Sequence, residues 1–191
     1  MVRENALDED RGRSREIVLF GLFTALIAIG AFIRIPAPVC PFTLQFLFTT
    51  LAGLILGSRR GALSVALYVL LGLVGVPVFT EGGGPSYIFQ PTFGYLVGFI
   101  AGAWLTGRIR EMSGSWSFGK VLFANLCGLA VVYLFGMIYV YFINNFYIGK
   151  TIGVWAVILY CFLLAVPGDI CLCILAAFLS KRLVKALGIH D

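Results

Sequence analysis

The sequence predicts an all-α polytopic membrane protein, with six transmembrane helices in one bundle and outward loops that re-enter the membrane. Three observations predict it. The 191 residues are 60% hydrophobic and only 12% charged, about half the charged share of an ordinary soluble domain, and mean hydropathy is +0.99. Such a chain cannot cover a soluble globule with polar groups, and its aromatic and branched content equally excludes disorder. Apolar runs recur six times along the chain. Its lysines and arginines fall almost entirely in alternate gaps between those runs.

The first sixteen residues are charged and mixed in sign, too polar for the apolar core of a signal peptide. They are expected to form a cytoplasmic tail, 1–16, ahead of a membrane domain, 17–185, and a short cytoplasmic tail, 186–191. The runs are 17–33, 42–56, 62–77, 93–105, 121–143 and 154–179. A span needs about 20 residues at 1.5 Å each; the fifth and sixth runs meet that, while the second and fourth are short. Pro- and Gly-rich loops flank the short runs, at 34–41 (RIPAPVCP) and 78–92 (VFTEGGGPSYIFQPT). Irregular backbone is tolerated at membrane depth only where it is buried in protein or lines a cavity. On a six-helix count both loops lie on one side, which makes them the first pointer to a ligand site.

Placing the N-terminus in the cytoplasm puts Arg3, Arg11, Arg13, Arg15, Arg59, Arg60, Arg108, Arg110, Lys120, Lys181, Arg182 and Lys185 inside. Only Arg34 and Lys150 then lie outside, so twelve of the fourteen basic residues are internal. This positive-inside bias explains the net charge of +5 better than nucleic acid does, because no polar face lines a phosphate track. The five cysteines, Cys40, Cys127, Cys161, Cys171 and Cys173, form no CxxC pair, and the lone histidine is His190. They are read as small packing groups, with no disulfide framework and no metal site expected.

Small residues recur one turn apart at Gly21 and Ala25, at Thr24 and Ala28, at Gly53, Gly57 and Gly61, and at Gly94, Gly98 and Gly102. Such stripes let helix backbones touch in lipid. Packing inside the bundle is the first reading; on the first helix, docking onto a partner membrane protein is the second. The segment Gly114 to Lys120 fits GxxxxGK, but Val121 stands where a magnesium-binding hydroxyl belongs, and the segment joins two membrane runs. No ATP site is expected in this chain, and no enzyme either.

Asp169 carries the most information. It lies inside the sixth run just after Pro167-Gly168, where a charge is costly unless it faces a cavity or a partner. Proline and glycine free the backbone there. A carboxylate can accept two hydrogen bonds, so it suits a ligand with paired N–H donors; a structural Asp held by neighbouring hydroxyls is the alternative. Thr43, Gln45, Gln90, Thr92 and Tyr95 sit at the inner edges of the two loops. Each either lines the same pocket or caps a helix. Gly82-Gly83-Gly84 strips side chains from a loop that comes close to something or moves as a lid, and Phe79, Tyr87 and Phe89 flank it.

The run Pro41-Phe42-Thr43-Leu44-Gln45 followed by Leu51-Ala52-Gly53, Leu56-Gly57 and Gly61 resembles the BioY family, the biotin-binding S components of energy-coupling factor (ECF) transporters. So do Gly75-Val76-Pro77-Val78-Phe79 with the glycine triplet, Pro91-Thr92-Phe93-Gly94-Tyr95 with Gly98-Phe99, and Pro167-Gly168-Asp169. Order and spacing together carry the resemblance, over about residues 17–185. It implies a biotin-capture subunit of a bacterial cytoplasmic membrane, embedded in the lipid bilayer, with no cofactor beyond biotin as transported ligand. Its partners would be a transmembrane scaffold subunit and two cytosolic ATPases, with no nucleic acid. The biotin ureido ring would meet Asp169. Thr43, Gln45, Phe79, Gly83, Thr92, Tyr95 and Arg34 would complete the site, and Ala25 and Ala28 the docking face.

Two positions depart from the family pattern. Members commonly carry a lysine one turn after the aspartate, where this chain has Leu172, and some place an asparagine where Gly83 falls. Arg34 or Lys150 would then pair with the biotin carboxylate, or the tail stays solvated. The alternative ligand is another small vitamin or a modified biotin.

Overall fold

The computed structural model describes residues 2–35, 42–114 and 116–188, with side chains from residue 14 onward. Cys40 and Pro41 lie outside the described residues. Helix α1 (Val2–Phe32) is continuous through the charged leader, and its apolar span is Ser14–Phe32. After a two-residue ribbon come α2 (Gln45–Leu56), α3 (Ser58–Val74), α4 (Phe93–Ser113) and α5 (Phe118–Phe142). A π-helical turn, Ile143–Ile148, prolongs α5. Helix α6 (Val154–Ile158), a second π-helical turn at Leu159–Leu163 and α7 (Val166–Ala186) together make the sixth span.

Two features differ from the sequence expectation. The 34–41 loop opens as a strand, β1 (Arg34–Ile35), paired antiparallel with β2 (Phe42–Thr43), so a small ribbon joins the helices. Ile35 precedes Pro36, which disfavours helical backbone at the residue before it. The fourth helix also runs well past its apolar stretch, carrying Arg108, Arg110 and Glu111 on its last turns.

Helix α2 has 12 residues, about 18 Å of helix against a hydrocarbon core of about 30 Å. Its last turn meets the end of α4 through the turn at Gly57. There Glu111 accepts hydrogen bonds from the Ser58 backbone N–H at 2.7 Å and the Ser58 hydroxyl at 2.8 Å.

The small-residue stripes serve the interior. A Cβ on Gly53 would overlap the Ala103 carbonyl oxygen, and one on Gly61 would come to 2.6 Å from the Gly53 Cα. Gly98 and Gly102 press on α5, with would-be Cβ positions 2.9 Å from the Val132 carbonyl and 3.0 Å from that of Gly128. On α1 the stripe divides. Thr24 turns inward and hydrogen-bonds the Phe20 carbonyl and Ser64, Ala28 is half-buried against the core, and Gly21 and Ala25 remain exposed. Outward faces carry Leu63, Leu70, Phe123, Ile138 and Phe178 exposed, as lipid contact requires. The GxxxxGK look-alike is a helix junction: Gly114 ends α4 in the left-handed region, and Lys120 donates to the Ser113 carbonyl. Cys127, Cys161, Cys171 and Cys173 are free thiols.

Candidate functional site: a cavity closed by two loops

The starts of α2, α4 and α7 converge with both loops around a cavity of about 610 Å³, open mouth included. The sixth span supplies its charge. Backbone register slips through the π-helical turn, Pro167 stands in the first turn of α7, and Asp169 follows at 9% exposure. A Cβ on Gly168 would stand 2.7 Å from the Phe42 ring, so glycine lets β2 close on α7 beside the carboxylate. Tyr133 of α5 donates its hydroxyl proton to Asp169 Oδ2. Its ring is met edge-on by Tyr95 at 6.2 Å, and the Tyr95 hydroxyl donates to the Cys161 carbonyl at 3.4 Å. Asp169 is the one formally charged side chain on the described wall.

Two hydroxyl chains form the polar wall. Thr43 reaches Gln45 Oε1 at 3.4 Å, Gln45 Nε2 donates to the Tyr68 hydroxyl at 2.8 Å, and Tyr68 donates to the Val78 carbonyl at 3.1 Å. Thr80 and Tyr87 share a hydrogen bond of 2.9 Å, and Tyr87 and Thr92 one of 3.1 Å. Thr92 stands at the N-cap of α4 without a capping bond from its side chain, and Leu44 rather than Thr43 holds that position on α2. The remaining wall is apolar, from Phe46, Leu96, Phe99, Leu129 and Val132.

Thr43, Gln45, Thr92, Tyr95 and Asp169 are thus brought together around one space. Three residues expected beside them stand elsewhere. Phe79 is 1% exposed and packs between Tyr68 at 5.5 Å and Tyr87 at 4.4 Å, over the bare face of Gly72. Gly83 lies against the Val76 carbonyl, where a Cβ has no room, so it shapes the loop rather than the cavity. Arg34 is exposed and donates to the Thr80 carbonyl at 2.5 Å, tying the ribbon to the second loop at the mouth. Of the lid aromatics only Tyr87 reaches the wall; Phe89 stacks on Tyr147 at 4.6 Å instead. Leu172 is buried in the core. The sequence does not mark Tyr133, Thr80 or Phe46 as site residues, and Phe99 enters only as part of the family resemblance. A tyrosine at Leu129, Val132, Tyr133 spacing inside an apolar run was the available signal. Among the described residues no three His, Cys, Asp or Glu side chains gather to hold a metal ion.

Comparison with known proteins gives one answer. The probable biotin transporter BioY of Lysinibacillus sphaericus is 42% identical over 169 residues, 88% of this chain and 86% of that protein. The biotin transporter BioY of Thermotoga maritima is 41% identical over 175 residues, 90% of this chain and 96% of that one. Among solved structures, the S component for biotin from an ECF-type ABC transporter matches with a TM-score of 0.82 at 27% identity, covering 92% of this chain and 93% of that one. The family model described as the BioY family matches residues 4–189, and the chain belongs to that family.

Proposed function

We propose that this chain is the biotin-capturing S component of an ECF transporter, and that it performs no covalent chemistry. The observation that supports it best is a buried carboxylate in a cavity whose other described wall residues are neutral and largely aromatic. Biotin presents two parallel ureido N–H donors on a compact apolar bicycle. Asp169 accepts those donors, held in place by Tyr133. Thr43, Gln45, Thr92 and Tyr95 supply the polar rim, and Phe42, Phe46, Phe99 and Tyr87 pack on the rings and tail. The task is that of a largely preformed pocket: to replace the ligand's hydration by a few fixed polar groups and apolar contact. Phe79 and Gly83 act one step back, by fixing the loop that carries Thr80 and Tyr87.

The same reading places the chain in a bacterial cytoplasmic membrane with both termini in the cytoplasm, on the strength of the positive-inside bias. The cavity mouth then faces outward. A transmembrane scaffold subunit and two cytosolic ATPases energise release inward, and the exposed Gly21 and Ala25 on α1, with Ala28 at the edge, receive the scaffold.

Titration calorimetry on the detergent-purified protein tests the central contact. Asp169→Asn keeps the volume but replaces one carboxylate oxygen by a donor facing the ureido N–H. Its affinity for biotin should fall about a hundredfold, as expected for losing charge-assisted hydrogen bonds. Unchanged affinity in a folded variant would remove Asp169 from the ligand contact.

A further inference from the structure

We infer that the site recognises the head of its ligand and not the charge of its tail, so that neutral-tailed biotin derivatives, carboxamides and esters, are ligands at least equal to the free acid. The inference rests on the biotin reading and extends it to a substrate class. It comes from the charge inventory of the cavity. Asp169 is formally negative, and every other described residue on the wall is formally neutral. Buried carboxylates need a paired cation or several donors, because hydration is lost and not replaced. A ligand carboxylate drawn inside would find no cation and would share a low-dielectric space with a like charge.

The basic residues nearest in the chain do not alter this. Arg34 stands at the mouth, but it is exposed and its guanidinium is already bonded to the Thr80 carbonyl, so a carboxylate beside it would form a solvent-screened pair worth little. Lys150 follows the left-handed turn at Gly149 and is exposed. Leu172, one turn beyond Asp169, is apolar and buried. The starts of α2 and α4 contribute only the partial positive charge of a helix end, which decays within a turn, and Asp169 itself offsets that of α7. The tail carboxylate of biotin therefore stays in water at the mouth. An amide or ester there costs nothing, and one that folds inward is less penalised than the anion.

The test compares biotin, biotin carboxamide and biotin methyl ester by calorimetry on the wild-type protein, at low and at high salt. The expected result is that the neutral compounds bind within about threefold of biotin or tighter. The affinity of biotin should also be insensitive to salt. Free acid bound about tenfold or more tightly than both neutral forms would overturn the inference. Repeating the series in Arg34→Gln locates the cause. The expected acid-to-amide ratio is that of the wild type, and an acid preference that disappears in the variant would make Arg34 a carboxylate clamp, again overturning it. If the folded protein binds none of the three, the biotin reading itself fails and this inference with it. If the acid alone binds, the reading stands and only the inference falls.

Discussion

The interface of α4 with α2 and α5 and the sixth span are built in opposite ways. Along α4, glycines on one side or the other let backbones meet: Gly53 of α2 abuts Ala103, Gly107 of α4 abuts Gly53 and the start of α3 at Ser58, and Gly98 of α4 abuts Val132 of α5. Helical register is unbroken there from Phe93 to Ser113. The sixth span instead slips through a π-helical turn and carries Pro167, Gly168 and a carboxylate at the point where α7 begins. Close-packed backbones admit one arrangement and resist change. Broken register is tolerated at this depth because the residues freed by it line a cavity. One region therefore holds the cavity's shape, and the other supplies its chemistry. Substitutions should separate along the same line, with stability lost in the first and affinity in the second.

The largest effect expected from that contrast is at Gly53. Gly53→Val drives a branched side chain into the Ala103 backbone and should cost about 3 kcal/mol or more, as severe overpacking does. Size-exclusion chromatography should show loss of the monodisperse protein, whereas Gly21→Ala, with open space around its Cβ, should elute as wild type. A folded Gly53→Val protein would mean that the interface yields, and the contrast would fail. A middling effect is expected at Tyr133. Tyr133→Phe removes the hydroxyl from Asp169 and should weaken biotin binding about tenfold, the worth of one hydrogen bond to a charged group. A melting temperature that falls with affinity untouched would instead assign Tyr133 to packing. Glu111 gives the smallest change. Glu111→Ala strips the Ser58 N–H of its acceptor and should cost about 1 kcal/mol, as loss of a helix cap does, visible in thermal melts and absent from the biotin isotherm.

The membrane made much of this legible. Six helices, three of them long and apolar enough to cross a membrane, and the paired loops could be read because a bilayer forces long apolar runs and punishes irregular backbone outside cavities. Asp169 stood out for the same reason, as a charge with no permissible surface. Tyr133 did not: it looks like any core aromatic, and its partner is 36 residues away in the chain. Phe79 looked like a ligand platform because it flanks the glycine triplet. Its place was set by Gly72 on the preceding helix, whose missing side chain makes room for the ring. The two-residue strands are too short for any periodicity to announce them. The π-helical turn at Leu159–Leu163 has no compositional mark, since register slips with packing and not with residue type.

The choice of rings has an optical consequence. Phe42, Phe46, Tyr87, Tyr95, Phe99 and Tyr133 furnish the cavity with benzene and phenol rings but no indole. The three tryptophans stand elsewhere: Trp104 and Trp155 are exposed at 47% and 73%, and Trp116 lies 4.8 Å from the Arg110 guanidinium. Light absorbed at the red edge therefore samples indoles that all stand away from the cavity, two of them on the outer surface, while Tyr87, Tyr95 and Tyr133 witness what enters it. The indoles report on what lies around the cavity and the wall phenols on what it holds.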